Sequence, residues 1–210
     1  MGLEDAGLTT KSPHLLEGIR VGMSAWKINE GLYPDLHVGM ERAFAIAMTP
    51  RVITGAKEHQ PAAVALGSCF YHLRGKVTYA HRGVWVLHAG FPVFCEGDLP
   101  QDAVVGRWLS VETVLHLDPG TYRRTYSRRK TMPNIVRPYR ITEIQRDTRL
   151  WQAWQRTENR PIRAGGKSEH LVDFLTREEG RHKDIKVTQT RAAVDDGGSA
   201  HYTLLCEGVG

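Results

Sequence analysis

Between Arg107 and Asp118 the chain alternates with a period of two. Leu109, Val111, Thr113, Leu115 and Leu117 fall on one side, and Ser110, Glu112, Val114 and His116 on the other. A helix would scatter these residues around its circumference, whereas a strand gathers each set on one face. Two further strand candidates precede it. Residues 70–80 form one, interrupted at Gly75, where a bulge or sharp bend is expected. Residues 83–96 form the other, with Trp85, Leu87 and Ala89 facing one way, Val84, Val86 and His88 the other, and a kink at Gly90 and Pro92. His81-Arg82-Gly83 and Asp118-Pro119-Gly120 supply turns. Three long, bent, consecutive strands predict an antiparallel meander that curls towards a barrel.

The flanks add strands and one or two short helices. Residues 19–28 and 41–48 are strand-like, separated by a loop at 30–35, and 49–61 reads as a loop from Thr49-Pro50 onwards. The loop Glu30 to Asp35 fits either a recognition turn or an Asx-type turn that sets up the next strand. Residues 136–144 are a further strand. Leu150, Trp151 and Trp154 have helical spacing, and Ser168 is placed to cap a second helix carrying Leu171, Phe174 and Leu175. The chain ends in an expected hairpin, with Ile185 and Val187 on one arm, Tyr202, Leu204 and Cys206 on the other, and Asp195-Asp196-Gly197-Gly198 as the turn. Residues 1–17 read as a flexible terminus and 18–210 as a single composite β-rich domain, since no linker divides them. A chain of 210 residues with 41% hydrophobic and 24% charged side chains has the makings of a core without a disulfide or metal staple.

The net charge of +5 hides its own distribution. Residues 121–167 hold 13 Lys/Arg and 3 acids, so all of the excess lies in this quarter of the chain. Arg123, Arg124, Arg128, Arg129 and Lys130 crowd into eight residues, with Tyr122 and Tyr126 between them. Two readings fit. In the first, residues 121–140 contact a polyanion or single-stranded nucleic acid, arginines meeting phosphates and tyrosines stacking on bases. In the second, the segment is a solvated loop or charged edge strand whose arginines pair with the acidic C-terminal segment.

Catalytic and cofactor signals are weak. Gly165-Gly166-Lys167-Ser168 ends like a phosphate loop, but Pro161 stands where its first glycine belongs. His72, His81, His88 and Cys95 are the nearest approach to a metal cluster, with no ligand spacing. Cys69 or Cys95 with His88 or His116 is the one conceivable nucleophile pair, against the alternative of buried thiols. No catalytic residue, cofactor or metal is therefore assigned. Cys69, Cys95 and Cys206 form no CxxC pair, which favours a reducing compartment, and the polar start MGLEDAGLTTKSPH is unlike a secretory signal. The most apolar stretch, 61–71, is about half a spanning helix in length. A cytoplasmic protein with no membrane contact is expected.

Residues 73–144 resemble an OB-fold barrel. The resemblance rests on the opening Arg74-Gly75-Lys76-Val77, a second strand at 83–94 with Gly90, a third at 106–117, and a closing strand within 137–144. The motif WxIxxGxYPDLxVG at 26–39, followed by this segment and a C-terminal strand pair, also resembles uncharacterised bacterial proteins of similar length. The resemblance implies a mainly β fold, an OB-like barrel at about 70–145, and oligonucleotide or oligosaccharide binding on one barrel face. Tyr79, Trp85 and Trp108 are then the aromatics that either stack on bases or face the core. The resulting expectation is a non-catalytic binding protein; the alternatives are an accessory protein that pairs its arginines with an acidic partner, or an enzyme with an unrecognised pocket.

Overall fold

The computed structural model describes residues 18–147 and 184–209. The expected flexible start, both helices, the Gly165–Ser168 loop and the bases from Arg149 to Lys167 lie outside the described residues. In chain order the elements are β1 (Ile19–Ser24), α1 (Trp26–Asn29), β2 (Glu41–Phe44), β3 (Ile46–Gly55), β4 (Ala62–Ala65) and β5 (Phe70–His81). There follow β6 (Val84–His88), β7 (Pro92–Glu96), β8 (Trp108–Leu117), β9 (Arg137–Asp147), β10 (Asp184–Val187) and β11 (His201–Gly208). A π-helical turn spans Tyr122–Tyr126, and a 3-10 turn spans Asp195–Gly198. The fold is mainly β.

Five strands close into a barrel in the ring order β3-β8-β5-β6-β7 and back to β3. Every contact is antiparallel except β3 with β7, which is parallel through Ile46↔Val93 and Ala47↔Phe94. Read round the ring from β5, with β3 counted last although it comes first in the chain, the order is 1-2-3-5-4, which is compatible with an OB-like fold. The strand that closes it is nevertheless β3, from the N-terminal side. Residues 137–144, expected to close the barrel, belong to β9 in a second sheet. The strand expected over 41–48 is β2 and the start of β3, and the loop expected from Thr49-Pro50 begins as the rest of β3: Pro50 pairs with Thr113 at a register shift that precedes Val52. A bulge is one of the few places where a strand tolerates the missing N–H of proline.

Two glycines shape the ring. Residues 83–96 reverse completely at Gly90 (φ +94) instead of merely kinking, so one expected strand becomes the β6–β7 hairpin, with His88↔Pro92 as its last pair. Gly75 lies where β5 crosses closest to β6; a Cβ there would sit 2.6 Å from the His88 carbonyl oxygen. Both faces of β6 are buried, and they serve different clusters. Trp85 and Leu87 join the main core with Leu73, Val77, Leu109, Val111 and Leu115. Val84 and Val86 point the other way, into a smaller cluster with Ala45, Ala47, Phe94, Tyr122, Tyr126 and Ile135.

The remaining strands form a flank in the order β10-β9-β11-β1, joined to the barrel where β1 meets β8 at Gly22↔His116. The C-terminal strands do not make the expected hairpin. Arg146 of β9 pairs with Ile185 of β10 on one edge and with Tyr202 of β11 on the other. Each arm thus finds β9 instead of its sequence neighbour. β2 also pairs with β9, through Glu41↔Arg140 to Phe44↔Arg137, so the chain leaves the flank at Phe44 and enters the barrel at Ile46. No helix among the described residues is long and apolar enough to cross a membrane.

Candidate polyanion-binding site

The basic cluster at 121–130 is built on a hydrogen-bonded turn and is not an edge strand. β8 ends at Leu117, and the Asp118 carboxylate accepts the backbone N–H of Thr121 at 2.9 Å and of Tyr122 at 3.1 Å. It thereby caps donors that a helical turn leaves unsatisfied. The turn is then wound widely, the Ser127 N–H reaching the Tyr122 carbonyl at 2.8 Å. Tyr122 and Tyr126, four residues apart, project from the same side. Both land on the outer surface of the β3–β7–β6 wall, with their rings 5.7 and 6.4 Å from Phe94. The Tyr122 hydroxyl donates to the Pro133 carbonyl at 2.5 Å and accepts from the Ile135 N–H at 3.3 Å. That of Tyr126 donates to Glu96 Oε1 at 2.7 Å.

The tyrosines therefore do not stack on bases as expected from their place among the arginines. At 2% and 5% exposure they are anchors, and burial raises the hydroxyl pKa of both, that of Tyr126 to about 12. The cations lie on this turn and just after it. Arg123 donates to the Ala43 carbonyl at 3.1 Å and Arg124 to the Pro119 carbonyl at 2.9 Å. Arg129 lies 4.4 Å over the Tyr126 ring and reaches the His81 and Arg82 carbonyls, while Arg128 and Lys130 extend outward, exposed. Carbonyls orient three of these groups without neutralising them. The ion pairs among the described residues are Arg74–Glu58, Arg107–Asp102, Arg140–Glu41, Arg146–Asp195 and Lys186–Glu143. None involves Arg123, Arg124, Arg128, Arg129 or Lys130.

Near the turn lie two buried charged groups, Lys27 and Asp118, whose burial sequence reasoning did not foresee, together with His116, Tyr33 and Asp35. Lys27, 5% exposed, donates to the Leu117 carbonyl, and burial lowers its pKa to about 8 against the attraction of Asp118. Asp118, 2% exposed, is raised to about 6 by burial, opposed by the Tyr122 and Thr121 N–H groups and by Lys27. His116 is lowered to about 3 by burial and by Lys27, with Thr49 Oγ1 3.2 Å from its Nε2. Tyr33 donates to the Asp118 carbonyl at 2.8 Å, and Asp35 accepts from Thr190 Oγ1 and the Ala192 N–H. Tyr33 and Asp35 thus tie the 30–35 loop to its neighbours.

Lys27 makes stability pH-dependent with a definite sign. Its folded pKa lies below the unfolded 10.5, so its contribution is complete above 10.5 and is lost as pH falls through about 8. From about pH 8 upward the three buried thiols oppose it, because their pKa values are raised from 9.0 by burial and stability is removed as pH rises. The native protein and Lys27→Met share these thiols, so the difference between the two isolates the amine. From pH 8 to 9 the urea-unfolding stability of the native protein relative to Lys27→Met is expected to rise by about 1 kcal/mol. Equal slopes in the two proteins would contradict the burial of this amine.

The other candidate residues disperse. His81 and His88 are exposed, whereas His72 hydrogen-bonds Ser110 at 2.5 Å. No three His, Cys, Asp or Glu side chains among the described residues converge on a point. Cys69 lies 3.5 Å from Thr203 Oγ1 and Cys95 contacts the Glu96 carbonyl at 3.7 Å. Burial pushes their thiols up to about 11 and about 12, away from thiolate chemistry. Of the aromatics, Trp85 is in the main core, Tyr79 is buried in the smaller cluster, and Trp108 stacks on His59 at 5.7 Å.

One concavity adjoins the basic turn. Trp26, Glu30 and Leu32, from α1 and the loop after it, face Arg124 across a cleft of about 420 Å³. Even Leu32, the nearest of the three in sequence, is 92 positions from Arg124, so only the tertiary fold brings them together. The motif at 26–39 supplies three of the four. Comparison of the chain with protein-family models, curated proteins and solved structures returned no match.

Proposed function

We propose that this protein is a non-catalytic binding protein that holds a polyanion against the basic segment 121–140. The observation that carries the reading is the clustering of Arg123, Arg124, Arg128, Arg129 and Lys130 on and just after a turn anchored by two buried tyrosines, with no carboxylate within ion-pair distance among the described residues. Self-repulsion among five cations destabilises a folded turn, and a phosphate or sulfate chain relieves it. Guanidinium groups suit such a partner because each offers parallel N–H donors to two oxygens. Anchoring also means that little conformational entropy remains to be lost when the anion binds.

The test is retention on heparin together with oligonucleotide affinity across a salt series. The native protein is expected to bind with a steep salt dependence. Arg123/Arg124/Arg128/Arg129→Ala removes four cations, and its slope of log affinity against log salt is expected to be shallower by about 3. Absence of binding at low salt would overturn the reading. Preference for polyglutamate over both nucleic acid and heparin would instead identify an acidic protein as the partner.

A further inference from the structure

At each end, the cations of the basic turn meet another element that carries an exposed arginine of its own. At one end Arg123 donates to the Ala43 carbonyl of β2 at 3.1 Å, and Arg42 precedes Ala43 in that strand. Arg42 and Arg123 also act on one group. Both charges lower the pKa of the Tyr33 hydroxyl, against the burial and the Asp118 charge that raise it. At the other end Arg129 reaches the His81 and Arg82 carbonyls at 3.4 and 3.3 Å, in the turn from β5 to β6. Arg42 and Arg82 are exposed, and neither belongs to an ion pair among the described residues. The two ends are far apart. β3 runs parallel to β7, with Ile46 level with Val93, whereas β6 runs antiparallel to it, with Val84 level with Glu96. The chain before Ile46 therefore lies towards the start of β7, and the chain before Val84 lies beyond its end. At about 3.3 Å per residue, Ala43 and Arg82 are separated by on the order of 20 Å. One phosphate meets one or two guanidinium groups, so only a chain of phosphates matches a site of this length.

We infer that Arg42 and Arg82 mark the two ends of a track for a linear phosphate chain, which lies along the basic turn and is held through its backbone charges. The inference rests on the polyanion reading and adds to it the shape of the ligand and two arginines outside 121–140. The rings of the turn and of the wall beneath it do not take part in stacking. Tyr79, Tyr122 and Tyr126 are buried in the smaller cluster, and Arg129 lies 4.4 Å over the Tyr126 ring. Contacts to phosphates position a strand without reading its sequence, so bases are not required. Glu96 of β7 is held by the Tyr126 hydroxyl at 2.7 Å and pairs with neither Arg82 nor Arg129. Such a chain has two sources, a single nucleic-acid strand and inorganic polyphosphate.

The experiment follows binding of labelled oligodeoxythymidine by fluorescence anisotropy across a salt series, with an abasic strand and inorganic polyphosphate of equal length as competitors. Arg42→Gln/Arg82→Asn removes both end charges; asparagine is used at 82 because it accepts the left-handed backbone there, φ +43. For a strand of about ten nucleotides, the slope of log affinity against log salt is expected to be shallower by about 1.4 in this variant. A dinucleotide is too short to reach both ends, and it is expected to bind the variant and the native protein equally. Lys57→Ala, which removes an exposed charge between β3 and β4, is expected to leave the slope unchanged. An unchanged slope in Arg42→Gln/Arg82→Asn overturns the track and leaves the polyanion reading standing. A native protein that binds none of the three chains overturns both. Competition by the abasic strand about tenfold weaker than by unlabelled oligodeoxythymidine overturns the backbone-only contact. Loss of slope with either phosphate chain supports the track, and the tighter binder, oligodeoxythymidine or polyphosphate, identifies its source.

Discussion

Gly75→Val is expected to destabilise the protein by more than about 3 kcal/mol, seen as a large fall in the urea midpoint or as failure to fold. The cause is steric. A Cβ at this position would lie 2.6 Å from the oxygen and 2.8 Å from the carbon of the His88 carbonyl, and 2.9 Å from Leu87 Cγ. A flexible side chain gives way cheaply, but here the obstacle is backbone. His88 is held by its pairing with Lys76 on one side and with Pro92 on the other. At the same point β5 passes from β8, which it pairs through Lys76↔Trp108, to β6, so displacement would open two seams of the barrel. Gly75→Ala is expected to follow in the same direction with a smaller loss. A midpoint for Gly75→Val within experimental error of the native one would show that β5 and β6 do not cross this closely.

The second large effect is expected at Tyr122. Tyr122→Ala empties the most enclosed site between the basic turn and the barrel, at a cost of about 3–5 kcal/mol. Tyr122→Phe keeps the ring against Phe94 and loses only the hydroxyl, which serves both the Pro133 carbonyl and the Ile135 N–H. About 1–2 kcal/mol is expected for that change, measured by urea unfolding. The pair of variants also separates anchoring from recognition. With the turn still seated, Tyr122→Phe is expected to keep the salt dependence of heparin retention. A stability loss in Tyr122→Ala below about 1 kcal/mol would mean that the tyrosine is not an anchor.

Much of the barrel was legible because the signals it uses are local. Alternation from Leu109 to Leu117 reflects backbone geometry, and β8 appears where that alternation predicts it. Phe70 to His81 likewise forms one strand, with Gly75 at its tightest point. Strand partnership is another matter. Residues 46–55 and 137–147 are both adequate strands, and nothing in either stretch states which one meets Val93 and Leu117. Pro50 made the first look like a loop, because proline is a strand breaker except at a bulge, and the bulge depends on the neighbouring strand. The expected C-terminal hairpin failed for a related reason: β9 offered each arm an unpaired edge, and proximity in sequence did not outweigh it.

The basic segment divides in the same way. Its position and charge belong to the sequence, since no folding event changes the count of arginines between 121 and 130. Spacing of four between Tyr122 and Tyr126 also requires that two aromatic rings leave one side of any helical turn. Whether that side meets a base or a protein wall depends on the outward-pointing side chains of Val84, Val86 and Phe94, which lie roughly thirty to forty residues earlier and become a wall only when β6 and β7 pair. The cleft is a still clearer case. Trp26, Glu30 and Leu32 are neighbours in sequence, but Arg124 reaches them because Asp118 ends β8 beside α1 and caps the turn there. Local pattern therefore determined the strands and the charge. Long-range pairing and burial decided which strand closes the barrel, which aromatics are anchors, and where a ligand could sit.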